Sequence, residues 1–133
     1  GTFTAGSLNY WGDMHVDVGG NIQLSGIVQN TARAGTFTFP VNLRSASGNI
    51  TVTSTGINTS TTAGYGSDVT LTADSGTISV TGGINTSGAV RAGDVSIVAN
   101  TVTMPVSADI LANSSSTTGT GAYVYVFADQ GIT

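Results

Sequence analysis

One unit occurs twice between Gly48 and Met104, and this repetition constrains the fold more than any other feature of the chain. Gly48-Asn49-Ile50-Thr51-Val52-Thr53 is echoed by Gly76-Thr77-Ile78-Ser79-Val80-Thr81, and Gly56-Ile57-Asn58-Thr59-Ser60 by Gly83-Ile84-Asn85-Thr86-Ser87. Asp68-Val69-Thr70-Leu71-Thr72-Ala73 returns as Asp94-Val95-Ser96-Ile97-Val98-Ala99. The three signals keep their order at offsets of 26 to 28 residues. A fixed period of that size marks a repeat architecture.

Looser copies extend the pattern. A first strand position is marked by Ile22, Ile50, Ile78, Val102 and finally Ile132, and a second by Ile27, Ile57, Ile84 and Ile110. The third falls in Phe37-Thr38-Phe39, Val69-Thr70-Leu71, Val95-Ser96-Ile97 and Val124-Tyr125-Val126. Strands this far apart in sequence cannot form a hairpin with one another. A continuously winding chain instead stacks them in parallel, about 4.8 Å apart, with the apolar parity facing inward. Isolated repeats cannot bury their apolar side, so stacking itself supplies the core. The expectation is an all-β, right-handed parallel β-helix, a solenoid of about four to five coils with three short strands in each, roughly 20–24 Å long at the coil spacing. Handedness follows from the general rule for parallel crossovers and from coils longer than those of left-handed hexapeptide helices.

Residues 1–19 fit the repeat least and read as an irregular N-terminal segment or partial coil, with 20–133 as the β-helix repeats. Gly1-Thr2-Phe3-Thr4-Ala5 resembles Gly35-Thr36-Phe37-Thr38-Phe39, and Met14, Val16 and Val18 alternate with Asp13, His15 and Asp17. The stretches 59–67, 86–93 and 113–121 are built of Ser, Thr, Gly and Ala and read as spacer loops. The chain stops at Gly131-Ile132-Thr133, which has begun another strand, and neither end has an evident polar cap. The expected partners are therefore copies of the module or flanking repeats, joined end to end through uncapped coils.

Composition narrows function. The 133 residues include three arginines (Arg33, Arg44, Arg91), no lysine, seven aspartates and no glutamate, for a net charge of −4. Three scattered cations make no basic face, so a nucleic-acid partner is disfavoured. Without cysteine there is no disulfide, thiol nucleophile or thiolate metal site. No apolar run is long enough for a membrane span, and an exported form would need a targeting segment absent from these residues.

The three repeated signals resemble the degenerate repeats of filamentous-haemagglutinin-like adhesins and other exported bacterial β-helix proteins, over roughly residues 20–133. The resemblance implies an extracellular or cell-surface fibre that binds host, neighbour or matrix, with glycans or cell surfaces among its partners. It carries over no catalytic residue and implies no cofactor.

Polysaccharide-active β-helix enzymes offer the alternative, as an enzyme or a glycan-binding module. Their resemblance implies carboxylate clusters with a metal or a basic residue. Asp68 and Asp94 recur at one coil position, where they either hold a cation or cap a turn. Asp13, His15 and Asp17 are the one constellation with metal-ligand character, yet on a strand the outer two lie about 13 Å apart, too far to share one ion. Trp11, Tyr125 and Phe127 are candidates for an interaction surface, the last two by outward parity, with Tyr10, Tyr65 and Tyr123 as further aromatics. Asn49, Asn58, Asn85 and Asn113 each open an Asn-x-Ser/Thr triplet. Asn58 and Asn85 read as corner residues in the left-handed conformation. Ice binding would need an unbroken Thr-x-Thr rank, and Gln23-Leu24-Ser25 and Thr103-Met104-Pro105 interrupt it.

Overall fold

The computed structural model describes residues 1–29 and 37–133. Arg33 and the Gly35-Thr36 part of the N-terminal echo lie outside the described residues. Eleven strands are present among them and no helix: β1 (Phe3–Tyr10), β2 (Met14–Val18), β3 (Ile22–Gln29), β4 (Val41–Ser45), β5 (Ile50–Asn58), β6 (Val69–Ala73), β7 (Thr77–Val80), β8 (Ile84–Asn85), β9 (Val95–Thr103), β10 (Ile110–Leu111) and β11 (Val124–Ile132). Every pairing among them is parallel, and the chain winds as a β-solenoid.

The repeat markers become three ladders. In the first, Phe3, Ile22, Ile50, Ile78, Val102 and Ile132 stand one above another. Leu8, Ile27, Ile57, Ile84 and Ile110 form the second. The third stacks Val16, Leu43, Leu71, Ile97 and Val126. Ile22, Ile27, Ile50, Ile57, Ile78, Ile84 and Val102 are fully buried and belong to one continuous core with Val41, Leu43, Leu71 and Ile97. Branched side chains suit this column, because their restricted rotamers fit a pleated surface at little entropic cost. Each such burial is worth about 1.5–3 kcal/mol.

Several expectations need correction. The third strand of the second coil is β4, and Phe37-Thr38-Phe39 precedes it. Pro40 stands between, at a corner where a missing N–H costs no ladder bond, and Val41 and Leu43 then point inward while Phe37 is exposed. Residues 1–19, for which an irregular segment and a partial coil were both open, contribute β1 and β2, paired with β3 and β4. Their coil is short because only Trp11, Gly12 and Asp13 separate β1 from β2.

The strands also run together at corners. β3 and β5 pass from the first ladder into the second through a register shift between Leu24 and Gly26. β9 passes from the third ladder into the first, because four residues separate Ile97 from Val102 where six separate Leu71 from Ile78. The tighter corner leaves no room for a break. Ile110, grouped with the core markers, is only partly buried, since β10 has a ladder neighbour on one side alone among the described residues.

The recurring Gly-Ile-Asn has a steric origin. Gly56 and Gly83 hold φ of 66° and 80° at the corner entering the second ladder. A Cβ on Gly83 would stand 2.8 Å from the Asp109 carbonyl oxygen of the next coil. Glycine alone combines that φ with that approach.

Candidate functional site

The polar residues that recur along the chain are mostly used between coils. Asp68 and Asp94 each stand directly before a third-ladder strand. Asp68 Oδ1 accepts the Asp94 backbone N–H at 2.8 Å, and Asp94 Oδ1 accepts that of Tyr123 at 2.9 Å, while Arg91 donates to Asp94 Oδ2 at 3.0 Å. The carboxylates therefore cap the corner of the coil that follows. A parallel device sits before the first ladder, where Asn21 Oδ1 accepts the Asn49 N–H and Asn49 Oδ1 accepts the Thr77 N–H, both at 2.8 Å. Sequence reasoning missed the role of Asn21 and Asn49, although the Gly-Asn-Ile triplets at 20–22 and 48–50 carried the signal.

Asp13, His15 and Asp17 are all exposed, with Asp13 in the corner before β2 and the other two on its outer face. Asp17 is engaged by Arg44 at 3.2 Å, and the other arm of that guanidinium binds Asp74. Arg44 thus ties together three successive coils. Asp74 first, then Asp17, hold its pKa above the ordinary value. No group of three His, Cys, Asp or Glu side chains among the described residues is arranged to hold one metal ion.

A buried polar column lines the entrance to the loops. Tyr10 pairs with Gln29, and Thr59 and Thr86 hold the equivalent place two residues after Ile57 and Ile84. The Tyr10 hydroxyl donates to the Phe39 carbonyl oxygen at 2.9 Å, and the Phe39 N–H donates to Ser67 Oγ at 2.9 Å. Ser67 Oγ donates to Gln29 Oε1 at 3.1 Å. Thr59 and Thr86 close the bases of their own loops by donating to the carbonyl oxygens of Ser67 and Gly93, at 2.6 and 2.7 Å. Burial, and then the Asp13 charge, push the Tyr10 phenol well above its usual range.

The aromatic candidates are not brought together. Trp11 is exposed in the first turn, whereas Tyr125 and Phe127 project from the outer face of β11, four steps further along the third ladder, or about 19 Å. Tyr65 and Tyr123 are exposed on separate loops. The first-ladder outer rank reads Thr4, Gln23, Thr51, Ser79, Thr103, which breaks the threonine array.

Asn58 and Asn85 depart from their expected conformation, since no residue other than glycine among those described has positive φ. Each instead folds its Oδ1 back to accept a backbone N–H two residues on, Ser60 and Ser87 respectively, both at 3.0 Å. The two asparagines pair in register on the outer side of the second ladder and line an open hollow of about 280 Å³. Gly82, Gly83, Ser107, Asp109 and Leu111 complete its floor and walls. A second hollow of about 390 Å³ is lined three residues further along the same coils by Thr61, Gly88 and Ser114.

No helix of the described residues is long and apolar enough to cross a membrane. Comparison of the chain with protein-family models, with curated proteins and with solved structures finds no match in any of the three.

Proposed function

We propose that this solenoid is a structural and adhesive module of an extracellular or cell-surface fibre, extended by further coils, either flanking repeats or copies of itself, at its two open edges. The observation that carries the reading is at the β11 edge. There Val124 and Ile132, which continue columns buried elsewhere, are half exposed or more. Among the described residues β1, β2, β10 and β11 each have a ladder neighbour on one side only. Unpaired backbone along an apolar column templates another parallel strand. Head-to-tail addition that does not close gives a linear assembly.

The reading is non-enzymatic. Asp68 and Asp94, the carboxylates that a polysaccharide-active site would recruit, are occupied as caps between coils. Sedimentation across a concentration series, with electron microscopy of the same samples, tests the assembly. Rods that lengthen with concentration are expected, together with a folded monomer for Val124→Lys. A wild-type chain that stays monomeric at high concentration would overturn extension by copies of itself.

A further inference from the structure

We propose that the hollow on the outer side of the second ladder binds a neutral glycan laid along the solenoid axis, with Asn58 and Asn85 as successive donors. The inference rests on the adhesive half of the function above and is independent of stacking. In both asparagines Oδ1 is committed to the chain, at Ser60 and Ser87. The donor there is a backbone N–H, so the side-chain oxygen must face it and the amide NH₂ must face away. Neither Nδ2 donates to a described residue. The two groups repeat at the coil spacing of about 4.8 Å, close to the advance per residue of an extended hexose chain.

The rest of the lining complements a sugar. The Asp109 carboxylate accepts no hydrogen bond from a described side chain or backbone N–H and is exposed, free to take a pair of hydroxyl protons. Ser107 offers a hydroxyl that works in either sense. Leu111, in register with Asn85, presents an exposed apolar surface to C–H groups. Gly82 and Gly83 line the hollow at the coil corner. Its volume of about 280 Å³ lies just below the usual range of ligand sites and suits one or two sugar rings rather than a long chain gripped throughout.

Other occupants fit less well. A peptide added as a strand would take the open edge of β10, since β5 and β8 already spend their backbone groups here, and would leave the Asn58 and Asn85 amides unused. An acidic polysaccharide meets Asp109 in the hollow and a net charge of −4 on the chain. A neutral chain avoids both penalties.

The test uses the full chain carrying Val124→Lys, so that failure of stacking and failure of binding are read separately. Tetrasaccharides of β-1,4-linked glucose, mannose and N-acetylglucosamine are titrated by calorimetry and by amide-resolved NMR, with tetragalacturonate and Ca²⁺ as controls. Saturable binding of at least one neutral tetrasaccharide is expected, with shifts confined to the hollow. Asn58→Asp and Asn85→Asp keep the acceptor that caps the loop and remove the NH₂. Each is expected to weaken binding at least tenfold with an unchanged unfolding midpoint. No binding of any neutral tetrasaccharide, binding insensitive to both substitutions, or binding of tetragalacturonate or Ca²⁺ alone would overturn the proposal.

Discussion

The middle coils and the last coil present the same residue types with the same inward parity, yet only the middle coils bury them. Ile78 is 0% exposed and Ile132, in the same ladder, is 60% exposed; Val95 is 1% exposed and Val124, stacked on it, is 49%. What differs is the number of coils in contact. Burial in this architecture is a property of neighbours along the axis, and a residue's own strand supplies only its direction. An identical substitution should therefore have very different consequences at the two places.

The sharpest break in that comparison is an aspartate placed in each. Ile78→Asp sets a carboxylate in a dry column without a partner, and a loss of at least about 4 kcal/mol is expected, enough to abolish cooperative unfolding in a domain of ordinary stability. In the unstacked Val124→Lys background, Ile132→Asp leaves its carboxylate in water and should change stability by less than about 0.5 kcal/mol. Thermal melts followed by circular dichroism decide between this contrast and a uniform core, in which both variants would fail alike.

Glycines give a second, smaller contrast. Gly83→Ala forces a side chain into φ of 80° and against the Asp109 carbonyl oxygen, and a cost of about 2 kcal/mol is expected. A Cβ on Gly121, near the last coil, meets nothing within 4 Å, and Gly121→Ala should change the unfolding free energy from urea titration by no more than a few tenths of a kcal/mol.

The smallest effect concerns Tyr10. Its phenol is held neutral in the folded chain, so its folded pKa lies above the unfolded value of about 10. The contribution is then complete below pH 10 and is lost as pH rises beyond it, because the unfolded chain alone releases the proton readily. Tyr10→Phe should lower stability by about 1 kcal/mol at pH 8 through the lost bond to Phe39, and should flatten the alkaline decline. Urea midpoints taken from pH 8 to pH 11 would show whether the slope survives the substitution.

Most of the ladders were legible because their information is periodic. Ile50 and Ile78, or Ile57 and Ile84, announce their stacking by spacing alone. What escaped the sequence is aperiodic or lies between coils. Phe37-Thr38-Phe39 alternates as well as Val41-Asn42-Leu43 does, and only the corner at Pro40 and the stack beneath it at β2 select the second. The Asp68 and Asp94 caps were readable as either caps or ligands, since one residue type serves both and the backbone N–H that each caps lies 26 or 29 residues away. Arg44 looked isolated because Asp17 and Asp74 lie 27 and 30 residues from it along the chain. The hollow beside Asn85 was invisible because its lining comes from three coils, with Asn58, Asn85 and Asp109 more than 20 residues apart along the chain.

The asparagine and aspartate caps share a direction. In each of the four, the earlier coil provides the acceptor and the later coil the backbone N–H: Asn21 to Asn49, Asn49 to Thr77, Asp68 to Asp94, Asp94 to Tyr123. A coil already in place thus holds out an unfilled lone pair at the spot where the next length of chain must turn. At these four corners a chain that folds in the order of synthesis finds its acceptor already in place, and each completed turn there acts as the mould for its successor.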